Sequence, residues 1–170
     1  MELLIFSDAH GSTDGMRRAL SRQLRAPDAV CFLGDGVLDA ADMEREGRCV
    51  WHCVRGNCDW GALGAGYAEE RVLELEGHRL LLTHGHRYFV KEGLSRLLAH
   101  AASIDADIVL FGHTHEPTER VIPACTVVDG VILPRPIYLF NPGSIGMRTG
   151  SFGTLLLRED TVLFSHGNVY

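Results

Sequence analysis

Six short apolar runs in this chain each lead through a glycine or small polar residue into a side chain that can bind a cation. Leu3–Phe6 leads into Asp8 and His10, Ala29–Leu33 into Asp35, and Cys49–Val54 into Asn57. Leu80–Leu82 leads into His84, Ile108–Phe111 into His113 and His115, and Ile137–Phe140 into Asn141 and Ser144. Asp, His, Asp, Asn, His, His and His make a set of oxygen and imidazole donors with no obligatory thiolate. Such a set suits Mn²⁺, Fe²⁺, Ni²⁺ or Zn²⁺ in a reactive centre better than it suits a structural zinc. Seven donors overfill one tetrahedral site and match two five- or six-coordinate ions that share a carboxylate. Two such ions side by side act as Lewis acids and lower the pKa of a bound water.

The elements that must position these donors follow from the pattern around them. Runs of four to six Val, Ile, Leu and Phe residues read as strands buried on both faces. Amphipathic helices are predicted between them. Thr13–Leu24 opens on a Ser12/Thr13 cap and places Met16, Leu20 and Leu24 on one face. Leu38–Glu46 is a shorter helix, and Lys91–Ala102 carries Leu94, Leu97, Leu98 and Ala101 on one stripe. Alternation of strand and helix predicts an α/β sheet whose ligands lie at the carboxyl ends of the strands. Hairpins are expected at Glu76-Gly77, Asp129-Gly130 and Glu159-Asp160. A parallel start followed by antiparallel hairpins predicts a four-layer αββα sandwich, two mixed β-sheets flanked by helices.

The chain has 170 residues, the length of one domain, and is read as a single domain over 1–170. That is too short for an (αβ)₈ barrel of about 250 residues, which excludes histidine-rich barrel hydrolases. Sixteen Lys and Arg against 22 Asp and Glu give a net charge of −6 without any basic block, so neither stable nucleic-acid binding nor a membrane surface is expected. No apolar run is long enough to cross a bilayer, and the start lacks a basic signal-peptide region. The cytoplasm is the expected compartment, and there five cysteines without a CxxC pair read as reduced, mostly buried small apolar residues.

Asp8-Ala9-His10-Gly11, Gly34-Asp35-Gly36, Gly56-Asn57-Cys58-Asp59, His84-Gly85-His86 and Gly112-His113-Thr114-His115 follow one another along most of the chain. Together they resemble the calcineurin-like metallophosphoesterase superfamily and, within it, the small YfcE-type phosphodiesterases. The resemblance implies that Asp8, His10 and His115 hold one metal, that Asn57, His84 and His113 hold the other, and that Asp35 bridges them. It implies two divalent ions, Mn²⁺ first with Ni²⁺, Fe²⁺ or Zn²⁺ as alternatives, and in-line attack of a metal-bridging hydroxide on a small phosphodiester. Two ions bring +4, the carboxylates of Asp8 and Asp35 bring −2, and a hydroxide leaves about +1, a pocket matched to phosphate in an acidic protein.

At Cys58 the resemblance departs from many relatives, which carry a histidine there that protonates the leaving oxygen. A thiol, with a reference pKa near 8.5, is a weaker acid at neutral pH than an imidazolium near 6.5. Diesters, or esters with good leaving groups, are therefore the expected substrates, and YfcE-type relatives also tend to carry Cys at this position. Asp59 is expected to hydrogen-bond a histidine ligand and fix its tautomer, a role grouped with Asp35, Asn57 and His84 as catalytic. His86, Arg55 and Arg148 are candidates for phosphate contact, and Asn141 and Ser144 for the border of the site. His52, His78, His100 and His166 read as structural or surface residues. A weakly catalytic scaffold of the same fold and a phosphomonoesterase remain alternatives, and homo-oligomerisation stays open.

Overall fold

Strict alternation along the first strand sets the layering. In β1 (Glu2–Phe6), Leu4 and Phe6 join one buried cluster while Leu3 and Ile5 join another, so both faces of this strand are covered. The structure is a computed structural model that describes every residue except Arg48, and Leu63 by its backbone only. β1 pairs in parallel with β2 (Ala29–Phe32), and β2 with β3 (Val50–Cys53).

The second sheet contains β4 (Glu70–Leu75), β5 (His78–Thr83), β6 (Ile108–Phe111), β7 (Thr118–Ile122) and β10 (Ile137–Asn141), in the order β4-β5-β6-β10-β7. Its central strands β5, β6 and β10 are parallel. β8 (Val127–Val128) and β9 (Val131–Ile132) form a small separate ribbon. β11 (Ser151–Arg158) and β12 (Thr161–Asn168) complete the first sheet as β12-β11-β1-β2-β3.

The inner core joins the two sheets through Leu3, Ile5, Leu33, Leu80, Leu82, Leu110, Phe140 and Leu155. Helices α1 (Asp14–Ser21) and α2 (Val37–Glu46) cover the outer face of the first sheet with Met16, Ala19, Ala40 and Met43. Helix α4 (Ser95–Ser103) covers the second with Leu97, Leu98 and Ala101. The four-layer αββα sandwich expected from the sequence is the fold observed. Among the described residues no helix is long and apolar enough to cross a membrane.

Several local readings need correction. α1 stops at Ser21 and not Leu24, whose side chain is wholly exposed, and Pro27 soon follows. Thr13 has helical φ and ψ and makes no side-chain cap, because its backbone already belongs to the turn. Lys91–Leu94 lies ahead of α4 and not within it. After Asp59 comes a one-turn helix, α3 (Gly61–Gly64). β7 went unread because Glu119 and Arg120, both exposed at a sheet edge, break the apolar pattern.

Candidate metal centre

All seven expected ligands stand just beyond the carboxyl ends of β1, β2, β3, β5 and β6. Because three of these strands run parallel in one sheet and two in the other, their loops converge at one edge of the sandwich. Loop-to-loop hydrogen bonds fix them there: Asp8 N–H donates to the Gly34 carbonyl (2.9 Å), His10 N–H to Asp35 (3.0 Å) and Gly112 N–H to His84 (3.2 Å). Five of these seven residues, Asp8, His10, Asp35, His113 and His115, have φ between 48° and 69°. Side chains adopt this left-handed region at a cost of roughly 1–2 kcal/mol, and it concentrates where function imposes it. His10→Gly is therefore expected to raise the melting temperature of the metal-free protein by about 2–4 °C while weakening metal binding. Parallel melts with chelator and with Mn²⁺ check both effects.

The donor atoms gather into three overlapping groups, each with all its atoms within 4.8 Å of one another: Asp8, His10 and His115; Asp35, His84 and His113; and His10, Asp35 and Cys58. Asp35 thus faces both the His10 side and the His84 side. His115 Nε2 lies 3.1 Å from Asp8 Oδ1 and 3.3 Å from His10 Nε2, and His84 Nε2 lies 3.3 Å from Asp35 Oδ2 and 3.9 Å from Asp8 Oδ1. Asp8 Oδ1, His84 Nε2 and Asn57 Oδ1 are buried without any hydrogen-bond partner among the described residues. Three orphaned lone pairs on three converging loops are the arrangement a cation satisfies, and the donor set fits divalent ions.

The groups behind these side chains aim them. Ser7 Oγ–H (2.6 Å) and His113 N–H (3.2 Å) donate to Asp8 Oδ2, leaving Oδ1 to face the centre. His84 Nδ1 sits 2.7 Å from the Leu33 carbonyl, which keeps the proton on Nδ1 and the Nε2 lone pair free. Against its burial, the adjacent His84 imidazole and the Cys58 N–H (2.7 Å) hold the Asp35 carboxyl well below its ordinary range. Burial and the nearby Lys91 pull His113 down to about 4, so its imidazole stays neutral. Burial and the neighbouring Asp35 push the Cys58 thiol up to about 11. Gly56 and Gly112 are required by proximity: a Cβ would lie 2.1 Å from Asp35 Oδ1 at the first and 2.0 Å from Ser7 Oγ at the second.

The model of the calcineurin-like phosphoesterase superfamily domain matches residues 1–165. The chain belongs to that superfamily. Its similarity to the probable metallophosphoesterase YsnB of Bacillus subtilis is 30% identity, covering 94% of this chain and 86% of that protein. Phosphodiesterase YfcE of Escherichia coli is 28% identical, with 91% and 87% covered. A predicted phosphoesterase from Streptococcus pneumoniae superposes with a TM-score of 0.74 at 25% identity, covering 99% of this chain and 89% of that one. The resemblance read from the five motifs is therefore the family found, one of metal-dependent phosphoester hydrolases.

Within this phosphoesterase the remaining candidates fall differently from expectation. Asp59 reaches no histidine. Its carboxylate accepts four backbone N–H groups, those of Asp35 (2.9 Å), Gly36 (2.8 Å) and Val37 (3.0 Å) at the start of α2 and that of Gly56 (2.7 Å) in the turn before Asp59. A helix start and a tight turn present more unpaired donors than an imidazole does, so they capture the acid. Arg55 is held by Glu69 (2.9 Å), which Arg87 also meets, and Arg148 is exposed. Asn141 donates to the Gly112 carbonyl (2.9 Å) and Ser144 to that of Asp8 (2.9 Å), so both brace ligand loops. His86 opens a short 3₁₀ turn beside His84 and His113, with its Nδ1 buried and unpaired. His78 pairs with Asp107, His100 stacks on Tyr88 and His166 on Phe140, all away from the centre. Ser7 and the Leu33 carbonyl were not foreseen, since no sequence signal marks a neighbour that orients a ligand.

Proposed function

We propose that the protein is a phosphodiesterase that works with two divalent cations, one held by Asp8, His10 and His115, the other by Asn57, His84 and His113, with Asp35 shared. The observation that carries this is the position of Asp35, whose carboxylate belongs to ligand groups on both sides while the buried Asp8 Oδ1, His84 Nε2 and Asn57 Oδ1 lack partners. Mn²⁺ is the first candidate, with Ni²⁺, Fe²⁺ and Zn²⁺ behind it. When bound, such ions act as Lewis acids that acidify water and neutralise phosphoryl oxygens. Residues 1–170 are read as a single metallophosphoesterase domain. The five free cysteines fit the reducing cytoplasm.

The chain's own part is positioning. Ser7 and the Leu33 carbonyl hold two ligands in one orientation, and Asp59 fixes the turn that carries Asp35. With the carboxylates and imidazoles assigned as metal ligands the reading requires no side-chain nucleophile, and water is the attacking species. Cys58, exposed beside Asp35, is the residue nearest in sequence to the place of a leaving-group acid. The test is hydrolysis of bis(p-nitrophenyl) phosphate with Mn²⁺ against a panel of phosphomonoesters. The reading expects turnover of the diester well above that of alkyl monoesters; absence of diester turnover in metal-loaded protein would favour the scaffold alternative. Cys58→His should raise kcat/KM on monoesters with poor leaving groups by about tenfold or more, and no gain there would count against the leaving-group assignment.

A further inference from the structure

A cleft of about 280 Å³ at the candidate metal centre is lined by His10, Asp35 and Cys58 together with Leu38 and Trp60. Trp60 is 83% exposed and Leu38 46% exposed, whereas the chain's other tryptophan, Trp51, is 5% exposed and packed into the core. Large side chains left open beside a reactive centre lose nothing when an apolar face covers them and gain the burial. The Trp60 backbone is already fixed, since its N–H donates to the Cys58 carbonyl (3.0 Å) and the preceding Asp59 is tied to four backbone donors. An indole carried on so anchored a turn needs little further ordering on binding. The walls contributed by Asp35, Asp39 and Asp59 are acidic, so a second anionic group is unwelcome there and an uncharged flat ring is not.

We infer that this cleft receives the leaving side of the ester as a nucleoside, its base stacked on Trp60 and its edge against Leu38. The inference rests on the phosphodiesterase reading and names the substrate class of that same site. Stacking is tolerant of base identity, so preference among bases is weak, while preference for a base over a bare sugar is strong. Cys58 lies in the cleft with Trp60, which puts the stacked group on the departing side and not on the retained side.

The experiment uses the full chain loaded with Mn²⁺ and two probes, AMP and ribose 5-phosphate, titrated by tryptophan fluorescence and, in parallel, as inhibitors of bis(p-nitrophenyl) phosphate hydrolysis. With Trp51 buried, quenching by AMP reports Trp60. AMP should quench and bind about tenfold more tightly than ribose 5-phosphate. Trp60→Ala should abolish that ratio and leave ribose 5-phosphate affinity unchanged, and Trp60→Phe should keep most of it, read by inhibition. Equal affinities for the two probes in the wild-type protein would overturn the inference, as would a Trp60→Ala variant that weakens both alike. Failure of the phosphodiesterase reading would be seen separately, as absent diester turnover, because the fluorescence titration reads the stack without turnover.

Discussion

Asp35→Asn should fold as the parent does and lose phosphodiester turnover by about a thousandfold or more. The substitution keeps the size of the side chain and one carbonyl oxygen, so the Cys58 N–H retains an acceptor. What goes is the charge on a carboxylate that is 3.3 Å from His84 Nε2 and also within reach of His10 and Cys58. An amide oxygen is a far poorer partner for two cations, and without a full negative charge between them the ions repel across the gap. Thermal melts without metal should differ little between the two proteins, and initial rates on bis(p-nitrophenyl) phosphate should show the loss. Turnover within tenfold of the parent would mean that Asp35 is not shared.

Asp59→Ala is expected to fail differently, through the fold. Four N–H donors at the start of α2 and on the Gly56 turn lose their acceptor together. A hydrogen bond to a charged group contributes about 1.5–3 kcal/mol, and donors stranded away from water are penalised further. Because water can reach part of this half-buried site, the combined loss is about 3–5 kcal/mol, near the upper end for single substitutions. For a chain of this length that lowers the melting temperature by roughly 10–15 °C. Activity should fall as well, since Asp35 N–H is one of the four. Asp59→Asn, which keeps one acceptor oxygen, should lie between the two. A residue acting directly on substrate would give the reverse ordering, with activity lost and stability kept.

These two aspartates also mark how far the sequence could be read. The place of Asp35 beside His10 and His84 was legible because a possible donor that follows an apolar run through a glycine or small polar residue is a local signature, and the strand beneath it decides where it points. The same holds for Asp8, His10, His84, His113 and His115, and for the hairpins at Glu76-Gly77 and Asp129-Gly130, where both turn residues of each pair have positive φ. Asp59 was placed near the site but given the wrong partner. Three of its four donors, on Asp35, Gly36 and Val37, lie more than twenty residues away in sequence, and nothing in the residue types says which backbone groups will be left unpaired there. Leu24 was read onto an apolar face by spacing alone, and the helix ended a turn earlier. β7 was missed for the opposite reason, since an edge strand is half-solvated and polar residues along it erase the period. Period and motif report on what a segment does with its immediate neighbours; which carbonyl fixes an imidazole, or which N–H a carboxylate captures, is settled only when the loops of both sheets meet.

The most direct measurement is the number and affinity of Mn²⁺ ions bound per chain, by calorimetric titration of the wild-type protein and Asp35→Asn side by side. Sharing of Asp35 predicts two ions per wild-type chain and a loss of affinity at both sites together in the variant. One ion in the wild type, or a variant that loses one site while the other binds unchanged, would contradict a carboxylate held in common.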